Sequence, residues 1–278
     1  MQAYVINLAR SAERRRAIED QLRRLGQPYL LVEAVDGRSL DVHDEALVQP
    51  ALLTRSTFKP GVAACSLSHL RVYERLLGTG EGVALVLEDD ALLPVDIGAL
   101  ADETAAHMSG AEVVLLNYAR PGGCQLSTYG QVPIGRGRLI AYPVEMDDLY
   151  CAAAYLITAE ACRRMVERLL PVRWHSDEWG EFLSLGLLER VRCVAPRPVS
   201  QDRQFRTTID AYAAQSLQLR WREAVTKRRV PVLAQARTLR RRVKVRRWRR
   251  VELVPLPPDR RQRAEQPAAA PEGPEAVS

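Results

Sequence analysis

The stretch VALVLEDDA, residues Val83–Ala91, joins five apolar residues to three consecutive acids. The apolar run is short, rich in Val and Leu and preceded by a Gly-containing turn, so it predicts a buried β-strand over Val83–Leu87. Three adjacent carboxylates at the carboxyl end of a sheet strand repel one another unless a cation or hydrogen-bond donors compensate. The pattern is therefore typical of a divalent-cation site at Glu88–Asp90, or of a solvated turn whose acids cap the next helix.

The segments around this stretch predict an α/β fold with a mostly parallel central sheet. Ala3–Leu8 and Tyr29–Ala34 have the composition of strands, and Ser11–Gly26 between them has apolar residues at helical spacing. Two strands joined by a helix form a βαβ unit, whose strands pair in parallel. The Gly- and Pro-rich residues 119–138 predict a long surface loop. The other predicted elements are a helix over Gly61–Leu77, a helix over Ala159–Leu170, and strands over Glu112–Asn117, Cys151–Ile157 and Val191–Val194.

Charge divides the 278 residues into three parts. Residues 220–250 hold 14 Lys or Arg and a single acid, for a net charge of +13, whereas residues 1–219 sum to −5 and residues 251–278 to −2. We expect one domain of catalytic size over 1–219, a basic amphipathic helical segment over 220–254 and a disordered tail over 255–278, which is rich in Pro, Ala and Glu.

The basic segment predicts contact with an anionic membrane, because apolar residues are interleaved with its charges. A solvated helix face and a nucleic-acid-binding segment are the alternatives. The segment carries no aromatic-rich RNA motif and no recognition-helix pattern, so no nucleic acid partner is expected.

The compartment is expected to be the cytoplasm, with peripheral binding on the inner face of the plasma membrane. Arg10 interrupts the N-terminal apolar residues too early for a secretory signal, and no apolar run reaches the roughly 20 residues of a membrane-spanning helix. The five cysteines form no CxxC pair and no zinc-type cluster in the sequence, which favours reduced thiols.

Four blocks of residues stand in a distinctive order along the chain. They are Tyr4–Leu8 followed by Arg10-Ser11 and Arg14-Arg15, then Glu33–Gly37, then Gly61 with Cys65–His69, and then Leu85–Asp90. In this order they resemble glycosyltransferase family 25, which includes lipooligosaccharide galactosyltransferases and collagen galactosyltransferase domains. Weaker similarity at Ala154–Thr158, Pro171 and Asp177 extends the likeness over Ala3–Gln201, although the family usually has Gly where this chain has Ala64.

The resemblance implies a single GT-A-like nucleotide-sugar-binding domain, followed here by the basic C-terminal extension. It also implies a UDP-sugar donor such as UDP-galactose, Mn²⁺ or Mg²⁺ as cofactor, and inversion at the anomeric carbon. The expected acceptor is a glycan or lipid-linked glycan such as lipooligosaccharide. A nucleotide-sugar-binding protein without catalysis and a nucleic-acid-binding protein are the alternative functions.

Candidate nucleotide-binding residues follow the first two predicted strands, at the sheet edge where such folds bind nucleotides: Asn7, Arg10, Arg14, Asp36 and Gly37. Asp36 would accept from the uracil imide or a ribose hydroxyl, or the Asp36-Gly37 pair is only a turn. Arg14 and the adjacent Arg15 would bind diphosphate oxygens, or face solvent from a first helical turn.

Ser68 and His69 are candidate ligands of the nucleotide sugar within a predicted helix, where a lone His is otherwise a packed structural residue. Asp90 is the first choice for metal contact and catalysis and Glu88 the second. Asp89 would point to the opposite face and contact ribose if the strand continues that far.

Asp177 is the leading candidate for the general base that takes the proton from the acceptor hydroxyl. It lies in the segment His175–Trp179, where an acid, an imidazole and an indole crowd together. Trp179 would stack on a sugar face. The alternative is a helix cap at Ser176 or Asp177 with Trp179 in the core.

Overall fold

The computed structural model describes residues 1–54, 59–119, 123–147, 149–202, 204–205 and 250–265. Its strands are β1 (Ala3–Asn7), β2 (Tyr29–Glu33), β3 (Val83–Glu88), β4 (Ala91–Leu92), β5 (Glu112–Leu115), β6 (Cys124–Ser127), β7 (Val132–Ile134), β8 (Arg138–Ala141), β9 (Ala154–Thr158), β10 (Arg190–Ala195), β11 (Ser200–Gln201) and β12 (Val251–Val254). Its helices are α1 (Ala12–Arg24), α2 (Pro50–Leu53), α3 (Pro60–Leu77), α4 (Ile97–Ala105), α5 (Ala159–Arg168) and α6 (Trp179–Ser184), with a 3-10 helix at Arg260–Glu265.

An eight-stranded sheet of order β2-β1-β3-β9-β5-β10-β8-β7 forms the centre of the molecule. β2, β1 and β3 are parallel, and so are β5 and β10. β9 lies antiparallel between β3 and β5, and β8 and β7 complete the sheet in antiparallel pairs. The α/β prediction is confirmed, but the sheet is mixed rather than mostly parallel in its pairing.

Helices cover both faces of this sheet, which explains why its central strands are almost continuously apolar. Along β1, Tyr4 and Ile6 join the core cluster beneath α3 and α5, while Ala3 and Val5 join the cluster beneath α1 and α4. The same alternation puts Val86 of β3 in the first cluster and its neighbours in the second. Alternate side chains of each strand point to opposite faces of the sheet, and because helices cover both faces, both sets of side chains are apolar.

The carboxyl ends of the three parallel strands lie along one edge of the sheet. In β1 and β2, Asn7 pairs in register with Glu33, and Ile6 of β1 pairs with Glu88 of β3. β9 runs the other way, so residues 150–153 arrive at this same edge before the strand begins. Residues that follow β1, β2 and β3 therefore meet residues that precede β9.

Residues 119–138 are not the long surface loop that their composition predicts. Beyond the undescribed residues 120–122, they form β6, β7 and the start of β8. Leu126 and Ser127 of β6 are fully buried. The strands are only three or four residues long, too short to show a period against the surrounding glycines.

The C-terminal predictions are wrong over residues 251–265. Val251–Val254 is not helical but forms β12, which pairs in parallel with β6. Residues 255–265 are ordered rather than disordered: Asp259 accepts from the backbone N of Met146 at 2.9 Å, and buried Gln262 accepts from the backbone N of Val191 at 2.8 Å. Residues 206–249, which include most of the predicted basic helix, and residues 266–278 lie outside the described part of the chain. Within that part, no helix is both long and apolar enough to cross a membrane.

Candidate active site

A cavity of about 790 Å³ opens at the sheet edge where β1, β2 and β3 end. Nine of the eleven predicted site residues line it: Arg10, Arg14, Gly37, Ser68, His69, Glu88, Asp89, Asp90 and Asp177. Asn7 and Asp36, the other two, contact residues of the lining rather than the cavity itself. The structure thus brings together residues that are up to 170 positions apart in the sequence.

Two of the three acids of the opening stretch, Asp89 and Asp90, share one arginine. A single terminal nitrogen of Arg14, Nη2, lies 2.6 Å from Asp89 Oδ1 and 2.8 Å from Asp90 Oδ2. Asn7 donates to the other Asp89 oxygen at 2.7 Å. Because β3 ends at Glu88, the alternation of a strand does not extend to Asp89. The condition under which Asp89 would point away from Asp90 is therefore not met, and both carboxylates contact Arg14.

One guanidinium does not compensate these carboxylates fully. Burial raises the pKa of Asp90 to about 7, and repulsion from Glu88 and Asp89 adds to the rise. Arg14 and a hydrogen bond with Gln201 oppose it. Burial also raises the pKa of Asp89 against the opposing charge of Arg14. The cluster therefore holds more negative charge than its surroundings stabilise.

Three buried polar atoms of the cavity wall have no hydrogen-bond partner among the described residues: Asp90 Oδ1, His69 Nε2 and Arg14 Nε. An unsatisfied buried polar atom costs about 1–3 kcal/mol, so each is an expected contact point for a ligand. The carboxylate oxygen suits a cation, whereas the guanidinium N–H suits an anion. The wall thus offers contact points both for a cation and for an anion.

His69 is buried and hydrogen-bonded on one side only. Its Nδ1 lies 2.7 Å from the hydroxyl of Tyr155, which lies 2.9 Å from the hydroxyl of Tyr73. Its Nε2 lies 3.5 Å from Glu88 Oε1. The neighbouring Ser68 has a structural hydrogen bond, since its hydroxyl accepts from the backbone N of Val35 at 2.9 Å and so fixes the segment that follows β2.

Gly37 lies where the segment after β2 approaches the start of α3. A Cβ at this position would be 2.8 Å from the backbone N of Gly61 and 2.9 Å from its Cα, so only glycine permits the approach. Asp36 beside it pairs with Arg10 at 2.7 Å and accepts from the backbone N of Arg38 at 3.0 Å. Asp36 therefore closes a turn and also positions a basic side chain of the cavity.

Asp177 also lines the cavity, from the segment before α6. Its Oδ2 accepts from the backbone N of Cys151 at 2.9 Å. Cys151 has a φ of 102°, which side-chain-bearing residues rarely adopt. The indole N–H of Trp179 donates to the carbonyl of Cys151 at 3.2 Å, so two hydrogen bonds hold this unusual backbone.

Trp179 is a core residue, and the prediction that it stacks on a sugar is wrong. It is fully buried and packs edge-on against Tyr155 and Phe182. The cap expected at Ser176 or Asp177 is also absent among the described contacts, because α6 begins after Glu178 without a side-chain cap. The sequence around Trp179 does not show whether its side chain faces the core or the cavity.

Several residues of the cavity wall were not foreseen from the sequence. Gln201 of β11 reaches Asp90 because β11 pairs with β4, and the backbone N of Asp202 donates to the carbonyl of Asp90 at 2.7 Å. The ring of Phe205 lies 5.8 Å from the guanidinium carbon of Arg14. Cys65, His175 and Ser176 also line the cavity; they belong to sequence segments that had been singled out, but no ligand role had been assigned to them. Lys59, Tyr150 and Cys151 are further lining residues, and of these three only Lys59 carried a signal, as a basic residue directly before the Pro60 helix start.

Comparison with known proteins identifies a family and individual proteins that are similar to this chain. The family model described as glycosyltransferase family 25 (LPS biosynthesis protein) matches residues 1–179. A lacto-N-neotetraose biosynthesis glycosyltransferase of Neisseria meningitidis serogroup B is 27% identical over 195 residues, which are 66% of this chain and 66% of that protein, slightly under two thirds of its length. The crystal structure of mannose-1-phosphate geranyltransferase from Thermus thermophilus matches 71% of this chain and 60% of that chain at 14% identity. Its TM-score of 0.31 is too low to support an argument.

Proposed function

The chain belongs to glycosyltransferase family 25, and on that premise we propose that it transfers a hexose, galactose first, from a UDP-sugar to a hydroxyl of a glycan acceptor. Family membership supports a glycosyltransferase role in lipopolysaccharide biosynthesis. The proposal adds the donor, inversion at the anomeric carbon, dependence on Mn²⁺ or Mg²⁺, and an acceptor such as lipooligosaccharide.

One observation carries the proposal: the acidic cluster, Arg14 and Asp177 face a single cavity of about 790 Å³. Pockets for small molecules and cofactors are commonly about 300–1,000 Å³, so the volume is adequate for a nucleotide sugar. The cavity lies at the carboxyl ends of parallel strands, where open α/β sheets bind nucleotides. Charge, volume and position all favour the same class of ligand.

The acids at the end of β3 fit a hard divalent cation. Asp90 is the first candidate ligand, because one of its oxygens is buried without a partner among the described residues, and Glu88 is the second. Carboxylate oxygens suit Mg²⁺ and Mn²⁺, which usually bridge one or two carboxylates to a substrate diphosphate. When bound, the cation takes up negative charge on the leaving diphosphate.

Arg14 is positioned to bind the diphosphate. Its Nη2 pairs with Asp89 and Asp90, while its Nε is buried and lacks a partner among the described residues. A phosphate oxygen would satisfy that N–H by a charge-assisted hydrogen bond. Asp89, which accepts a hydrogen bond from Asn7, then holds the guanidinium in place, and Arg10 and Lys59 add positive charge to the same wall.

Asp177 is the candidate base. It reaches the cavity from the segment before α6, whereas the acids that fit the cation come from β3, so the two sets of carboxylates approach a bound donor from different elements. An inverting transfer requires this separation, because the acceptor hydroxyl attacks opposite the departing diphosphate. Asp177 would take the hydroxyl proton as the new glycosidic bond forms.

Hydrolysis of a panel of UDP-sugars, with release of UDP measured in Mn²⁺ and in excess EDTA, tests the proposal. We expect release from UDP-galactose in Mn²⁺ and a loss of at least about 100-fold in EDTA, because stabilisation of the leaving group by a metal contributes several kcal/mol. GDP-mannose is the control, since it keeps the diphosphate and changes both the base and the sugar. Binding of UDP-galactose without release, even with glycan acceptors present, would favour a non-catalytic nucleotide-sugar-binding protein. No binding and no release with any UDP-sugar would contradict the proposal.

We propose in addition that the basic segment brings the enzyme to the inner face of the plasma membrane. This part rests on the charges of the sequence, because residues 206–249 lie outside the described residues. Each Lys or Arg near an anionic surface contributes about 1 kcal/mol, so the 13 basic residues of 220–249 suffice for binding.

Sedimentation with liposomes tests the membrane proposal. The appropriate variant replaces the Lys and Arg of residues 220–249 by Gln, because truncation at residue 219 would also remove β12 and the buried Gln262. We expect the unmodified protein to sediment with phosphatidylserine liposomes and to be released by salt, and the Gln variant to stay in the supernatant. Equal binding of both proteins, or equal binding to neutral phosphatidylcholine, would contradict the proposal.

A further inference from the structure

Three side chains of different chemistry converge in the cavity wall next to the acidic cluster. The Sγ of Cys65, a ring nitrogen of His69 and a carboxylate oxygen of Glu88 all lie within 4.8 Å of one another. Cys65 and His69 are four residues apart on α3, so they occupy the same helix face, and Glu88 faces them from the end of β3. The convergence is therefore built by the contact between a helix and a strand.

His69 has the environment of a metal ligand. Only 2% of its surface is exposed, and its Nε2 has no hydrogen-bond partner among the described residues. When Nδ1 donates its proton to the hydroxyl of Tyr155, Nε2 presents a lone pair to the Glu88 oxygen 3.5 Å away. Two facing acceptors repel each other unless a cation lies between them. Metal-bound histidines are typically oriented by such a bond at the other nitrogen.

From this arrangement we propose that Cys65, His69 and Glu88 form a binding site for Zn²⁺ in the cavity wall. Thiolate, imidazole and carboxylate together favour Zn²⁺ over Mg²⁺, and three protein ligands leave the fourth tetrahedral position open to water or a ligand. Zinc bonds of about 2.0–2.3 Å place tetrahedral donor atoms roughly 3.3–3.8 Å apart, so side-chain rotations suffice to close the observed spacing.

The Cys65 thiol binds the metal as a thiolate and releases its proton to solvent. Burial, and then the charge of Glu88, raise the pKa of this thiol, so it is protonated in the free protein. Metal binding therefore exchanges one proton for one cation. The hydroxyl of Ser176 lies 3.4 Å from Sγ and can donate to the resulting thiolate.

The site has a consequence for transfer that rests on the proposed function. Glu88 is both a zinc ligand here and the second candidate ligand of the hard cation, so Zn²⁺ would compete with Mn²⁺ for it. We therefore expect Zn²⁺ to inhibit transfer, and Cys65→Ser to relieve the inhibition.

Titration of the full-length protein with Co²⁺ tests the site directly. Co²⁺ replaces Zn²⁺ in tetrahedral sites, and a bound thiolate gives it a strong sulfur-to-metal charge-transfer absorption. We expect this absorption in the unmodified protein, its loss in Cys65→Ser, and a fall in Zn²⁺ affinity of more than about 100-fold in that variant, because loss of even an outer-shell partner of a ligand costs about 10–100-fold. Cys151→Ser is the matched control: Cys151 is also half-buried and lines the same cavity, and its variant should titrate like the unmodified protein.

Alkylation by N-ethylmaleimide, read by peptide mass spectrometry, requires no variant. We expect Zn²⁺ to protect Cys65 and to leave the modification of Cys151 unchanged. Absence of the charge-transfer absorption in the unmodified protein, its persistence in Cys65→Ser, or alkylation of Cys65 that Zn²⁺ does not slow would each overturn the site. None of these readouts uses a sugar nucleotide, so their failure is distinct from failure of the proposed transferase activity.

Discussion

Asp90→Ala is expected to lower Mn²⁺-dependent sugar transfer by at least about 1,000-fold. Asp90 is the first candidate ligand of the cation, and each 1.4 kcal/mol of lost transition-state stabilisation costs about a factor of ten. Transfer from UDP-galactose at saturating Mn²⁺, compared between the variant and the unmodified protein, measures the effect. Asp20→Ala is the control, because it removes a solvent-exposed carboxylate of α1 that pairs only locally with Arg23 among its described contacts.

The same variant is expected to fold, and its stability should depend on pH in a defined direction. Burial raises the pKa of Asp90 in the folded protein to about 7, above its ordinary value of 3.8. Because the folded protein binds this proton more tightly than the unfolded chain, the proton adds to the free energy of unfolding. This contribution is fully present below about pH 4 and is lost as the pH rises through about 7. Asp90→Ala avoids this loss, so its stability relative to the unmodified protein should rise between about pH 4 and pH 8, by roughly 2–4 kcal/mol.

Thermal and urea unfolding at both ends of this pH range check the stability prediction. Full transfer activity in a folded Asp90→Ala variant would contradict the metal role of this residue. If Asp90→Ala lost both its activity and its fold, Asp90→Asn would test the metal role instead. Asn keeps the shape of the side chain and removes its charge.

Asp177→Asn is expected to lower transfer by about 100–10,000-fold while leaving UDP binding unchanged within about twofold. General acid–base catalysis contributes an effect of that size. Asn keeps a side-chain oxygen that can accept from the backbone N of Cys151, so the hydrogen bond at 2.9 Å and the unusual backbone it holds should survive. The measurement is kcat for transfer together with calorimetric titration of UDP and Mn²⁺.

Glu178→Gln is the matched control for Asp177. It makes the same change of acid to amide at the adjacent position, which does not belong to the cavity lining. We expect it to transfer at the normal rate. If Asp177→Asn retained its activity, the base would have to be sought elsewhere in the wall, and His175, which lines the same cavity, would be the first to substitute.

The location of the site could be predicted because it depends on strand direction. VALVLEDDA and the βαβ unit over residues 3–33 identify parallel strands, and residues that follow such strands must meet at one edge of the sheet. Asn7, Arg14 and Glu88 were placed in this way, and they do meet. The order of the motif blocks added Ser68 and His69, for which no local pattern was specific, and supported Asp177, which the segment His175–Trp179 had suggested.

The remaining features depend on contacts that a sequence pattern does not encode. β9 has the composition of a buried strand whether it runs parallel or antiparallel, so its insertion between β3 and β5 was not foreseen. Gln201 reaches Asp90 only through the pairing of β11 with β4, 110 residues away in the sequence. The sequence left Trp179 open between a sugar face and the core, because an indole is equally suited to both, and the structure places it in the core.

The most direct test of the central claim is the position of Mn²⁺ in a crystal of the protein grown with UDP and MnCl₂. The anomalous scattering of manganese locates the ion independently of the refined coordinates. We predict one manganese peak within coordination distance of Asp90 and of both phosphates of UDP, with Arg14 on the diphosphate and the uridine between the ends of β1 and β2. UDP bound outside this cavity, or a manganese peak that touches neither Asp90 nor Glu88, would contradict the account.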